Sequence, residues 1–76
     1  MQNKFLLFST DGCHLCELAQ SVLQNAGIVD YQIVDIATDD GLFSQYGTSI
    51  PVLKREDNNA ELNWPFNIKE VMEFVN

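Results

Sequence analysis

Cys13 and Cys16 enclose His14 and Leu15, and they are the only cysteines of the chain. Two thiols three positions apart are too close to staple a fold together and too few for a multi-bridge secreted scaffold. They read as a local chemical pair. Upstream, Phe5-Leu6-Leu7-Phe8 is a continuous apolar run ended by Ser9-Thr10-Asp11-Gly12, and downstream Leu15, Leu18, Ala19, Val22, Leu23 and Ala26 recur at helical spacing. The pair therefore falls where a strand-to-helix loop becomes the first helical turn. Unpaired N–H groups and the positive end of the macrodipole there stabilise a thiolate and lower its pKa from about 8.5 toward about 3.5–7.5. Cys13, at the helix start, is the expected nucleophile toward a disulfide. Cys16, one turn further on the same face and less exposed, is the expected resolving thiol. A protonated His14 would support the thiolate, while Asp11 and Glu17 oppose it.

Other chemistries of the pair fit less well. Zinc wants four ligands, and within one chain only His14 and nearby carboxylates would join the two thiols, so no metal site is expected. Haem attachment needs His directly after the second cysteine, where Glu17 stands. Inert core thiols conflict with the Thr10-Asp11-Gly12 loop, which argues for exposure. His14 is expected to be a solvent-exposed modulator, because a low-pKa thiolate needs no general base.

Several elements must position these residues. Phe5 to Phe8 reads as a central strand covered on both faces. The helix from Leu15 stops at Gly27. Tyr31-Gln32-Ile33-Val34-Asp35-Ile36 is a second strand, which makes a parallel, right-handed βαβ unit. Thr38, followed by Asp39 and Asp40, is an N-cap candidate for a short helix carrying Leu42, Phe43 and Tyr46 on one face and ending at Gly47. Ile50-Pro51-Val52-Leu53 and Ala60-Glu61-Leu62-Asn63 flank Glu56-Asp57-Asn58-Asn59 as an antiparallel hairpin. Asn67 with Glu70 spells a capping box, and Ile68, Val71, Met72 and Val75 form the apolar stripe of a last helix. The expected fold is α/β, in the order β-α-β-α-β-β-α on a four-stranded mixed sheet, as one domain over residues 1–76.

Composition narrows the partners. Eleven acidic against four basic side chains give a net charge of -7, with Lys4, Lys54, Arg55 and Lys69 as the only cations. Such a chain repels the phosphates that dominate nucleic-acid affinity, so neither nucleic acid nor an anionic membrane is an expected partner. The apolar run after Lys4 has four residues, short of the roughly 7–15 of a signal-peptide core, and no stretch approaches the roughly 20 of a membrane span. The expected location is the cytoplasm, where thiols are kept reduced. A chain of 76 residues buries only about 60% of the surface its unfolded form exposes, so every element shares one marginal core.

Alone, Ile50-Pro51 would be expected trans, since only about 5–6% of X-Pro bonds are cis. Context changes this. An apolar strand ending in Cys13-His14-Leu15-Cys16 at a helix start, with Thr48-Ser49-Ile50-Pro51-Val52 opening a hairpin later, resembles the thioredoxin-like superfamily and its glutaredoxin branch. The resemblance covers nearly the whole chain and implies a three-layer α/β/α fold. It also implies a cis Pro51 beside Cys13 and a backbone at Ile50 that pairs with an extended thiol substrate. Closer still, Asp11-Gly12-Cys13-His14-Leu15-Cys16, Tyr46-Gly47, Ile50-Pro51-Val52-Leu53 and Leu62-Asn63-Trp64-Pro65-Phe66 together resemble a small group of uncharacterised bacterial glutaredoxin-like proteins.

This chain departs from true glutaredoxins at both glutathione clamps. Where those carry a cation before the cysteine motif, Ser9, Thr10 and Asp11 stand here. Where they carry a Gly-Gly-x-Asp type turn before the last helix, Asn63-Trp64-Pro65-Phe66-Asn67 stands here. Trp64 has two readings: an aromatic packing piece that sets the approach of the last helix, which is favoured, or a wall of the groove near Pro51 that grips a partner.

The residues and the resemblance together imply a thiol–disulfide oxidoreductase in cell redox homeostasis. Cys13 and Cys16 are its catalytic pair, and His14, Ile50, Pro51 and Trp64 contact substrate. It is expected to be a monomer without cofactor, exchanging disulfides with a protein or small thiol and reset by a thiol reductase donor. The alternative is a thioredoxin-fold binding module, or a carrier of a metal or iron–sulfur cluster, without turnover.

Overall fold

The computed structural model describes residues 5–76, so Lys4 and the sequence before it lie outside the described residues. Phe5–Ser9 forms strand β1 and Tyr31–Asp35 forms β2, parallel to it and joined through helix α1, His14–Asn25. Helix α2 spans Asp40–Tyr46, strands β3 and β4 span Val52–Arg55 and Glu61–Asn63, and helix α3 spans Ile68–Val75. The sheet order is β2-β1-β3-β4, with β3 antiparallel to both β1 and β4. β1 is therefore internal, as its unbroken apolar run requires.

Alternation along β1 builds two cores, because successive side chains leave opposite faces of a strand. Phe5 and Leu7 pack on one face with Ala19 and Leu23 of α1, Leu53 of β3, Phe66, and Val71 of α3. Phe8 packs on the other with Ile36, Tyr46 and Val52, its ring stacked on Tyr46 at 4.4 Å between centroids. The result is three layers: α1 and α3, the sheet, then α2. The β-α-β-α-β-β-α order and the four-stranded mixed sheet are as the sequence implies.

Local chemistry sets the ends of the elements. α1 stops in a Schellman motif: Ile28 N–H donates to the Leu23 carbonyl at 2.9 Å and Gly27 N–H to that of Gln24 at 3.0 Å. Gly27 holds φ at +78°, which costs glycine nothing. α3 begins with the expected capping box, Asn67 accepting from Glu70 N–H and Glu70 from Asn67 N–H. The hydrophobic staple beside it joins Phe66, just before the cap, to Val71, both in the same core cluster.

Several boundaries differ from the sequence reading. β2 ends at Asp35, because the Asp35 carboxylate accepts from Ala37 N–H at 2.9 Å and turns the chain into a 3₁₀ helix over Ile36–Thr38. Asp39 caps α2 in place of Thr38, accepting from Leu42 N–H at 3.0 Å. β3 begins at Val52, after Pro51, and runs on through Lys54 and Arg55. Those two polar residues face Leu6 and Phe5 in the ladder, so pairing with the central strand overrides their polarity.

Candidate functional site

β1 ends at Ser9, which is buried, and three loop residues carry the chain over the sheet edge to α1. Gly12 turns at φ +74°, a left-handed conformation that side chains other than those of Gly, Asn and Asp rarely adopt. Cys13 follows with extended backbone as the N-cap of α1. Its Sγ accepts the Cys16 backbone N–H at 3.2 Å, the bond that a Ser or Asp cap normally makes with its oxygen. Cys13 and Cys16 are disulfide-bonded, with Cα atoms 5.2 Å apart. Cys13 is half-buried and Cys16 is 1% exposed. An approaching sulfur therefore meets Cys13 first.

His14 occupies the first helical position with its side chain exposed, and its Nδ1 lies 3.6 Å from Glu17, equally exposed. In open solvent such a pair contributes little. A cleft of about 240 Å³ opens beside the disulfide between the loop, α1 and β2. Ser9, Thr10, Asp11 and Gly12 line it from the loop side, Glu17 and Gln20 from α1, and Ile33 and Asp35 from β2. Among the described residues no Lys or Arg lines it, and three carboxylates, those of Asp11, Glu17 and Asp35, do.

Ile50 and Pro51 are joined by a cis bond, as the resemblance implies. Pro51 is fully buried and Ile50 half-buried. Since Phe8 faces Val52 in the antiparallel ladder, Pro51 stands level with Ser9, at the end of the sheet where the loop to Cys13 departs. Trp64 reaches the same end: its backbone N–H donates to the Pro51 carbonyl at 3.2 Å. The half-buried indole packs edge-on against Phe66, centroids 5.0 Å apart, and against the α1–α3 core. Trp64-Pro65 is a second cis bond, which nothing in the sequence reading anticipated. Ile50, Pro51 and Trp64 thus share the cysteines' end of the sheet but do not line the acidic cleft.

Sequence reading missed Gln20, Ile33 and Asp35 as site residues. A signal was present for Asp35: in a parallel β1–β2 pair whose strands start together, Ser9 and Asp35 fall side by side, as observed. Among the described residues no three or more His, Cys, Asp or Glu side chains gather where they could hold a metal ion, and no helix is long and apolar enough to cross a membrane.

Comparison with known proteins agrees with this geometry. The family model described as Glutaredoxin-like domain (DUF836) matches residues 4–76. Target protein XcR50 from X. campestris superimposes with a TM-score of 0.87 at 34% identity, over 93% of each chain. Protein Ne2328 from Nitrosomonas europaea gives 0.71 at 23% identity, over 97% of this chain and 92% of that one. Thioredoxin 1 from Thermosipho africanus gives 0.62 at 20% identity over 93% and 88%, a likeness of fold alone. No curated protein matches the chain. A thioredoxin-like fold with a Cys13-x-x-Cys16 pair at the start of its first helix, matched by this family's model almost from end to end, places the chain in the glutaredoxin-like domain family (DUF836).

Proposed function

We propose that the protein is a cytoplasmic thiol–disulfide oxidoreductase that works through Cys13 and Cys16. The observation that carries this reading is the asymmetry of the pair: Cys13 caps the helix with an accessible sulfur that accepts an N–H bond, and Cys16 lies buried behind it. In the reduced protein the same N–H and the helix end stabilise a Cys13 thiolate. That thiolate attacks one sulfur of a substrate disulfide, forms a mixed disulfide and expels the other sulfur as a thiolate, which takes up a proton. Cys16 then attacks Sγ of Cys13, releases the second substrate thiol and leaves the Cys13–Cys16 disulfide. Two electrons pass from the dithiol to the substrate, and an external dithiol donor returns them.

The test is reduction of a small uncharged disulfide by the prereduced protein, compared with its Cys13→Ser and Cys16→Ser variants. The parent completes the exchange, Cys13→Ser is inert, and Cys16→Ser stops at a mixed disulfide visible by mass spectrometry. Equal rates in Cys13→Ser and the parent would sink the proposal and leave a binding module without turnover.

A further inference from the structure

Disulfide exchange does not by itself require the charge found beside the cysteines. Asp11 from the loop, Glu17 from the first turn of α1 and Asp35 from the end of β2 line the cleft with Cys13 and Cys16, and among the described residues no Lys or Arg does. Carboxylates next to a thiolate raise its pKa, so these three act against the helix end that activates Cys13. The described cations lie elsewhere. Lys54 and Arg55 pair with Leu6 and Phe5 toward the other end of the sheet, Arg55 is engaged by Asp57 at 2.7 Å, and Lys69 belongs to α3.

The cleft also continues beyond the disulfide. A groove of about 690 Å³ shares Glu17, Gln20 and Ile33 with it and runs between α1 and β2 past Ile28 and Val29. β2 is an edge strand, and Ile33 and Val29 are 48% and 80% exposed along this path. A groove with apolar positions beside an edge strand suits an extended polypeptide better than a compact tripeptide.

Building on the exchange reading above, we propose that the substrate disulfide is carried by an extended, cationic polypeptide segment. It lies along the α1–β2 groove with Lys or Arg side chains against Asp11, Glu17 and Asp35 while Cys13 attacks its disulfide. The chemistry is the two-electron exchange already described, so no further reactant is needed. A cleft of one sign focuses the field and speeds the arrival of an oppositely charged substrate by about tenfold or more at low salt. It repels glutathione disulfide, which carries net negative charge. Added salt weakens the preference, since the screening length falls to about 8 Å at physiological ionic strength.

The experiment measures single-turnover reduction by the prereduced protein of three probes: a peptide disulfide flanked by Lys and Arg, hydroxyethyl disulfide, and glutathione disulfide. The parent is compared with an Asp11→Asn/Glu17→Gln/Asp35→Asn variant, in which the amide introduced by Asp35→Asn keeps an oxygen to cap the 3₁₀ helix. Rates are referred to the uncharged probe, which cancels any change in Cys13 reactivity. At low salt the parent favours the cationic over the anionic probe about tenfold or more, and the triple variant loses most of that ratio. A Glu56→Gln/Glu73→Gln control, altered beside Arg55 and beside the Phe74 carbonyl that Arg55 binds, keeps the parental ratio. A parent with no cationic preference, or a ratio that survives neutralising the cleft, overturns the proposal while exchange itself stands. Failure to reduce even the uncharged probe overturns the exchange reading, and this one with it.

Discussion

The Sγ of Cys13 accepts the backbone N–H of Cys16 at 3.2 Å, so the accessible sulfur of the pair is also the cap of the helix that carries its buried partner. The bond and the helix end both favour negative charge on Sγ once the disulfide is reduced. Alkylation of Cys13 in a Cys16→Ser variant, followed against pH, should therefore show a midpoint below the ordinary thiol value of about 8.5. Neutralising Glu17 to Gln should move it lower still. An ordinary midpoint in both proteins would mean that the cap does not activate the sulfur.

Gly27 ends α1 at φ +78°, and a Cβ placed there meets nothing within 4 Å. A Gly27→Ala variant therefore bears a purely conformational cost of about 1–2 kcal/mol, without a clash. In a domain this small that is a large share of the total stability. Urea unfolding should show a lower midpoint at unchanged slope, with the Cys13 reaction in the folded protein unaffected. No loss of stability would show that the Schellman geometry is dispensable.

Tyr46 donates from α2 to the Glu61 carboxylate on β4, and its ring stacks on Phe8. Burial first, then the hydrogen bond and charge of Glu61, push its hydroxyl from 10.0 up to about 12. The folded state thus holds this proton more tightly than the unfolded chain. Its stabilising contribution is intact below pH 10 and is lost as pH rises from 10 toward about 12. Tyr46→Phe should lose about 1 kcal/mol near neutrality, where the bond is intact. It should also lose less than the parent on going alkaline, so that urea midpoints of the two proteins converge. Parallel curves through that range would contradict the assignment.

Much of this was legible in the chain because it rests on local rules. The apolar run Phe5 to Phe8 needed cover on both faces, the Leu15 to Ala26 periodicity needed one face buried, and Asn67 with Glu70 could satisfy each other's N–H groups without help from elsewhere. The place of Cys13 at a helix start followed from the same periodicity. The length of β3 did not, since Lys54 and Arg55 join the ladder only because Leu6 and Phe5 of the central strand supply partners.

Sequence by itself determined the Cys13-x-x-Cys16 spacing, the order of elements and the net charge of -7. Tertiary structure decided which sulfur is exposed and where that charge is concentrated. Burial of Cys16 beside Ser9 depends on α1 lying against the sheet, and the meeting of Asp11, Glu17 and Asp35 depends on the parallel register that sets Asp35 beside Ser9. Asp35 is separated along the chain from Asp11 by the whole of α1, in whose first turn Glu17 lies. Only packing brings them to one cleft, where carboxylates from three elements add to one field as no count of acids along a sequence can reveal.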